Sequence, residues 1–292
     1  MIKQFFAISS LLVFALGMGS AQAQRNISWA GCGITKKAFM KELAIAYEKK
    51  TGIKITIHGG GATLGIRGVN KGKLDIGGSC RYTIQNKEEQ NVMMKPVAWD
   101  ALAVIINPGN SVDGITIEQI RGIYTGKIRN WKSLGGSNKP INLYIRKGKT
   151  SGVGWTIRNL VFDNKNMNFT ASKSFKSSGP LERGVETNPY AIGITGISSA
   201  RKRNVKILKL QGKEPSFENI QSGAYLLYRP LYLVLATSES RKEVLGFVKF
   251  THSLQGREIL RRNGTVPYLD ALHLVLKQVD QHRLSRDYMS SN

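Results

Sequence analysis

Ile53, Ile55 and Ile57 alternate with Lys54, Thr56 and His58, the period-two pattern of a half-buried strand. Just before it, Phe39, Leu43, Ala46 and Tyr47 recur at helical spacing, and Gly52 is placed to end that helix. Upstream again, Ile27 to Ala30 reads as a short strand running into Gly31-Cys32-Gly33. Beyond the alternating strand, Gly59-Gly60-Gly61 leads to a short helix around Ile66 to Val69, then to a strand at Leu74-Asp75-Ile76. A strand–loop–helix unit that repeats in this way predicts a parallel sheet with covering helices.

The same alternation continues. Val97 to Ile106 is a long apolar strand closed by the turn Asn107-Pro108-Gly109. Thr116 followed three residues later by Gln119 is a capping-box pattern, opening a helix with Ile120, Ile123 and Tyr124 on one face. Ile141 to Ile145 predicts a strand, followed by a glycine-containing loop and a helix through Leu160. Ala191 to Ile194, Val205 to Leu210 and Pro230 to Ala236 add strands. Two helices follow near Glu243 to Thr251 and Leu254 to Arg262, the second with Gly264 as its C-terminal cap.

The N-terminus changes the picture by fixing a compartment. Residues 1–23 carry one charge, Lys3, then an apolar run from Phe5 to Met18, then Ala21-Gln22-Ala23. That is the pattern of a cleaved secretory signal, too short to read as a membrane span. Export to the periplasm is expected, with no cysteine placed to take a lipid anchor. The formal charge is +24, and loss of Lys3 leaves +23. A basic balance of this size raises anionic partners. The basic residues are scattered from Lys36 to Arg286 with no basic block or basic–aromatic repeat, which argues against dedicated nucleic-acid binding.

Candidate chemistry lies in four loops between strands and helices: Gly31 to Thr35, Gly59 to Gly65, Gly77 to Arg81 and Arg146 to Gly154. Ligands in open α/β sheets bind beyond the carboxyl ends of strands, where helix N-termini offer unpaired N–H groups. Glycines let that backbone approach an anion, and Arg146 adds a forked cation suited to a tetrahedral oxyanion. The glycine run at 59–61 is neither a P-loop nor a dinucleotide fingerprint. No nucleophile–base pair, paired carboxylates or metal cluster is visible, so neither an enzyme nor a bound cofactor is expected. His58 is given no role, and Asp75 is expected to brace backbone.

Five stretches now combine: Gly59 to Gly65, Leu74 to Arg81, Tyr124 to Trp131, Tyr190 to Gly193 and Arg229 to Tyr232. With Ser253 to Gly256 and Gly264 to Pro267, they resemble the phosphate-binding proteins of bacterial ABC phosphate importers, in order and over nearly the whole mature chain. Thr125-Gly126-Lys127-Ile128-Arg129-Asn130-Trp131 is the most specific of them. The resemblance implies an α/β, two-lobed periplasmic binding protein fold of type II. Each lobe would hold a mostly parallel sheet flanked by helices, and the chain would cross the hinge twice, near Val104 and Tyr225. The expected division is a signal at 1–23, lobe I at 24–104 with 226–285, lobe II at 105–225, and a polar tail at 286–292. It further implies a monomeric receptor that captures phosphate or a related oxyanion and delivers it to an ABC permease.

Carried over position by position, the anion site comprises Thr35, Ala62, Thr63, Cys80, Arg81, Arg146, Ser151, Gly152 and Val153. Three of these depart from the family pattern. Ala62 replaces a leading Ser, Cys80 stands where the family has Asp or Ser, and Val153 replaces a Thr. An Asp accepts the proton of a protonated phosphate, whereas a thiol accepts poorly. Weaker phosphate binding or broader oxyanion choice is therefore expected. The alternative is an exported interaction or sensing protein that has lost tight phosphate binding. Cys32 and Cys80, the two cysteines of the chain, both fall in cleft loops. They stand as two small residues, as a disulfide pinning two loops of one lobe, or as an incomplete soft-metal pair.

Overall fold

The computed structural model describes residues 26–279 and 281. The expected signal at 1–23 and polar tail at 286–292 lie outside the described residues. The chain opens with β1 (Asn26–Gly31). A continuous helix follows, starting as α1 (Gly33–Thr35), widening to π-type hydrogen bonding over Lys36–Met40 and ending as α2 (Lys41–Thr51). Gly52 stops it at φ 72°, a left-handed cap open to glycine at no steric cost. Next come β2 (Lys54–Gly59), α3 (Ala62–Asn70) and β3 (Ile76–Ser79).

Two expectations shift here. The helix predicted around Ile66 to Val69 begins four residues earlier, at Ala62. The strand predicted at Leu74 to Ile76 starts at Ile76, because Asp75 is occupied as a brace. Its carboxylate accepts from Ser28 N at 2.6 Å and Ser28 Oγ at 2.7 Å, and pairs with Arg241 at 2.7 Å.

β4 (Val92–Ile106) is the spine of the molecule. It precedes β5 (Gly114–Ile115), α4 (Ile117–Tyr124), β6 (Asn142–Arg146), α5 (Gly152–Leu160), β7 (Lys173–Phe175) and α6 (Ser178–Thr187). The capping box on α4 forms as predicted, with Thr116 Oγ1 accepting from Gln119 N and the Gln119 side chain accepting from Thr116 N. Then follow β8 (Ala191–Gly196), α7 (Ile197–Ala200), β9 (Lys206–Ile207), β10 (Lys209–Leu210) and α8 (Phe217–Ser222). The strand predicted over Val205 to Leu210 is thus two short pieces, β9 pairing with β4 and β10 with β5. The chain closes with β11 (Tyr228–Ala236), α9 (Lys242–Thr251), α10 (Leu254–Arg262) and β12 (Val266–Pro267).

The main sheet runs β2-β1-β3-β11-β4-β8-β6-β7. β1, β2 and β3 are mutually parallel, as are β8, β6 and β7, while β11 and β4 run antiparallel to their neighbours. The partner change lies within β4. Up to Ala101 it pairs with β11, and from Leu102 onward it pairs with β8. The returning chain is tied to the same point, since Tyr225 Oη donates to Leu102 O at 2.9 Å and Leu102 N to Leu227 O at 2.7 Å. β4 from Val97 to Ile106 is fully buried, with Trp99 stacked on Tyr268. Asp100 is the charged exception in that run, and the register places Arg229 of β11 directly opposite. Among the described residues no helix is long and apolar enough to cross a membrane.

Candidate functional site

The four glycine-rich loops converge. β1 and β3 are register neighbours, Gly31 opposite Gly78, so the residues that follow each strand stay side by side. Cys32 N donates to Gly78 O at 2.9 Å, and Gly61 N donates to Gly31 O at 2.9 Å. Gly61 holds φ 94° as the N-cap of α3, a conformation that an L side chain rarely adopts. The first turn of α3 that it caps lies against an opposite wall. That wall is the N-terminus of α5, capped by Ser151, whose Oγ accepts from Gly154 N.

The walls touch. A Cβ placed on Gly152 would lie 2.3 Å from Cys80 Sγ and 3.2 Å from Ala62 Cβ. One placed on Gly61 would lie 4.0 Å from Arg146 Nη2. Gly61, Ala62, Cys80, Arg146, Gly152 and the neighbouring Val153 are therefore one contiguous set, and two helix N-termini point into it. Thr35 is buried beside Gly78, and its hydroxyl donates back to Cys32 O at 2.8 Å. Thr63 sits at the seam, its hydroxyl donating to Thr150 O at 2.9 Å.

The two predicted arginines are used differently. Arg81 is buried, and its five N–H groups are spoken for. Nη1 and Nη2 form a fork on Glu89 at 2.7 Å each. Nη1 also reaches Tyr82 O, Nη2 reaches Thr63 Oγ1, and Nε reaches Thr150 O at 2.9 Å. Glu89 is correspondingly acidic. Burial alone would raise its pKa, but the Arg81 bonds, the Ile84 N–H and Arg67 outweigh this and lower it. Arg81 is thus a clamp between the two walls, with no free N–H facing an anion in this arrangement. Arg146, at the end of β6, is also buried, but its guanidinium bonds only neutral groups. These are Ser178 Oγ at 2.9 Å, Lys176 O at 2.7 Å and Phe175 O at 3.3 Å. Among the described residues no carboxylate pairs with it, so its charge is uncompensated.

Cys32 and Cys80 meet at the floor of this set, with their sulfurs 2.6 Å apart. Burial would raise the Cys32 thiol. The Cys80 hydrogen bond, Arg229, the Ile34 N–H and Arg146 together bring it down to about 6. Cys80 is pushed up by burial and by its neighbour Cys32.

Three neighbours of the set were not assigned to the site from the sequence, although Arg229 falls in one of the family-like stretches. Arg229 is buried. Its Nη1 donates to Cys80 O at 2.9 Å and Thr156 Oγ1 at 3.3 Å, and its Nη2 stands 3.7 Å from Asp100 Oδ2. The available signal was a charged residue inside the apolar strand Tyr228 to Ala236. Ser178 orients Arg146 from the start of α6, a helix whose Gly- and Pro-containing sequence hides it. Lys37, in the helix after β1, donates to Glu182 Oε2 at 3.0 Å and Ser199 Oγ at 2.8 Å. His58, at the end of β2, has no part in the set. Among the described residues no three of His, Cys, Asp and Glu gather as metal ligands would.

A family model described as a PBP superfamily domain matches residues 19–253. The chain is similar to the phosphate-binding protein PstS of Borreliella burgdorferi, 28% identical over 254 residues, covering 83% of this chain and 90% of that one. It is also similar to PstS of Bacillus subtilis, 24% identical over 256 residues, covering 86% and 84%. Among solved structures, an ABC transporter substrate-binding protein from Clostridium perfringens with phosphate bound superposes with a TM-score of 0.78. That match has 27% identity and covers 83% of this chain and 99% of that one. An ABC-type phosphate transport receptor from Vibrio cholerae gives 0.65 at 26% identity, covering 82% and 99%.

Proposed function

The chain belongs to the PBP superfamily, and on that premise we propose that it is the phosphate-binding receptor of an ABC importer. It is an exported transport receptor and not an enzyme. It closes two lobes around phosphate or a closely related oxyanion and presents the loaded cleft to a permease. Of the described residues, 26–104 with 226–279 form one lobe and 105–225 the other, and residues 1–23 direct export to the periplasm.

The observation that carries this reading is Arg146. It is buried and has no carboxylate partner among the described residues. It also lies beside the N-cap of α3, which meets the N-terminus of α5 through Ala62 and Gly152, and the orphan N–H groups of such helix starts favour an anion. A desolvated oxyanion must have every lone pair met. Arg146, the first turns of α3 and α5, and Ser151 supply donors from both walls. Of the positions first considered, Arg81 and Thr63 support the reading as closure contacts. Thr35, Ala62, Cys80, Gly152 and Val153 serve by shape and backbone. Cys80 offers no carboxylate to accept a ligand proton, so phosphate and sulfate are separated less sharply than by an Asp-bearing site. Calorimetry with phosphate and sulfate tests this. Arg146→Ala is expected to lower phosphate affinity by more than about 100-fold. An unchanged affinity in that variant would overturn the site. If no oxyanion stabilises the wild type at millimolar concentration, the alternative of an exported interaction protein replaces this reading.

A further inference from the structure

Cys32 and Cys80 are 48 positions apart in sequence, yet each is the first residue beyond its strand, and the two strands are parallel neighbours. The Cys32 N–H is bonded to Gly78 O, so the loops remain paired past the strand ends. Both side chains are buried and their sulfurs face each other in contact. At 2.6 Å the sulfurs stand within about 0.6 Å of a bonded S–S distance of about 2.05 Å, so a small shift of the two side chains would join them.

Their position gives the bond a consequence. Cys80 Sγ lies under the first residue of α5, where a Cβ on Gly152 would stand 2.3 Å away. Arg229 holds the Cys80 carbonyl, and the charges of Arg229 and Arg146 both act on Cys32. Asp100, on β4, faces Arg229 at 3.7 Å. A dithiol in this place is drawn toward a thiolate by those two cations. The thiolate would occupy the field of Arg146 that an anionic ligand needs. A disulfide is neutral and leaves that field to the ligand.

We propose that Cys32 and Cys80 form a disulfide in the working protein, and that this bridge keeps the floor of the anion cleft uncharged. The second half of the proposal rests on the oxyanion-receptor reading. An oxidising compartment supplies the chemistry by exchange with a disulfide-bearing oxidant. The Cys32 thiolate attacks one sulfur of that oxidant and releases its other sulfur as a thiolate. Cys80 gives up its proton and displaces the remaining oxidant sulfur from the mixed disulfide. The two cysteines lose two electrons and two protons in all, and the oxidant departs as a dithiol. Because both sulfurs are buried in the folded chain, the exchange belongs to folding, before the loops are covered.

The full chain, prepared from an oxidising compartment, is unfolded and alkylated before and after reduction, and its mass is read. The expected count is no label before reduction and two after. Phosphate affinity is then measured by calorimetry at neutral pH on oxidised protein and on protein refolded in reductant. Reduction is expected to weaken binding by about tenfold or more, and C32S/C80S is expected to lose the response to reductant. Two labels before reduction overturn the bridge. Equal affinities in the two redox states overturn its role in the cleft. No labels before reduction together with no phosphate binding in either state support the bridge and refute the receptor reading instead.

Discussion

Replacing Gly152 with Ala tests whether the walls of the cleft meet as described. The added Cβ would stand 2.3 Å from Cys80 Sγ and 3.2 Å from Ala62 Cβ. Non-bonded carbon atoms rest at about 3.5–4.0 Å, so the sulfur contact is short by more than about 1 Å. Neither neighbour is the tip of a flexible chain. Cys80 is wholly buried, and the Ala62 Cβ is fixed to the first turn of α3. The strain is relieved when α5 backs away from α3, which is an opening of the cleft. Overpacking of this kind costs about 1–3 kcal/mol, and here it falls on the closed arrangement alone. With 1.4 kcal/mol equal to a factor of ten, phosphate affinity should fall about 5- to 150-fold. The unliganded fold should not suffer, because Ala is favoured over Gly in a helix by up to about 1 kcal/mol. The measurements are calorimetry with phosphate, the thermal midpoint without it, and the radius of gyration with and without saturating ligand. Cys32→Ala/Cys80→Ala removes both sulfurs together and leaves no thiol behind, so Gly152→Ala should cost less in that background than in wild type, a non-additivity that marks direct contact. A Gly152→Ala protein that binds phosphate within twofold of wild type and still compacts on binding would refute the closure geometry.

Acid should loosen the clamp built on Glu89. The folded pKa of Glu89 is lowered, by the Arg81 fork, the Ile84 N–H and Arg67 acting against burial. Its contribution is therefore complete above the unfolded value of about 4.3 and is lost as pH falls through the lower folded value. Wild type should lose stability on acidification below about pH 4.3, and Glu89→Gln should be less stable at neutral pH with a flatter acid limb; parallel acid limbs in thermal melts would contradict this. Asp100→Asn leaves Arg229 buried without its counter-charge, because Nη2 faces Asp100 Oδ2 at 3.7 Å and the residue is 3% exposed. Breaking a buried pair from one side costs about 3–5 kcal/mol, to be read by urea unfolding, and a loss under about 1 kcal/mol would show that Asp100 is not what balances Arg229.

The sequence revealed most where a local rule and the tertiary fold agree. Gly52 as a cap, the Thr116–Gln119 box and the apolar run ending at Ile106 depend on short-range chemistry, and all three stand. The early start of α3 was hidden because Gly60 and Gly61 look like loop, although their positive φ sets up the helix N-terminus itself. β7, α6, α7 and α8 are short, and α6 carries Gly179, Pro180 and Gly184, so neither pattern nor propensity marks them. Convergence was legible for Arg146 and the glycine loops, since strand ends and helix starts gather on one side of such a sheet. The division of labour between the arginines was not. Arg81 and Arg146 follow strands in similar fashion, and the presence of Glu89, eight residues past Arg81, separates a paired clamp from a buried arginine without a carboxylate.

That division explains how so basic a chain handles one small anion. The cations nearest the cleft are mostly paired: Arg81 with Glu89, Arg229 with Asp100, and Lys37 with Glu182. The chain's large positive excess therefore lies outside these pairs; charge of that kind acts over long range and is screened by salt. Among the described residues of the converging set, Arg146 is the cation without a carboxylate; Arg158, also buried, spends its guanidinium on Gly154 O, Met167 O and the Phe169 ring. A unit charge at about 4 Å in a medium of effective dielectric constant about 20 is worth about 4 kcal/mol, which corresponds to millimolar affinity. Reaching micromolar affinity takes about 8 kcal/mol, so a similar amount must come from elsewhere. Hydrogen bonds to a charged group contribute about 1.5–3 kcal/mol each, so two or three N–H donors close the gap. On the proposed reading α3 offers such donors from one wall and α5 from the other, so an anion meets the full set only when the walls come together. Gly152, which lets the two walls touch, then matters to affinity although it has no side chain to offer the ligand.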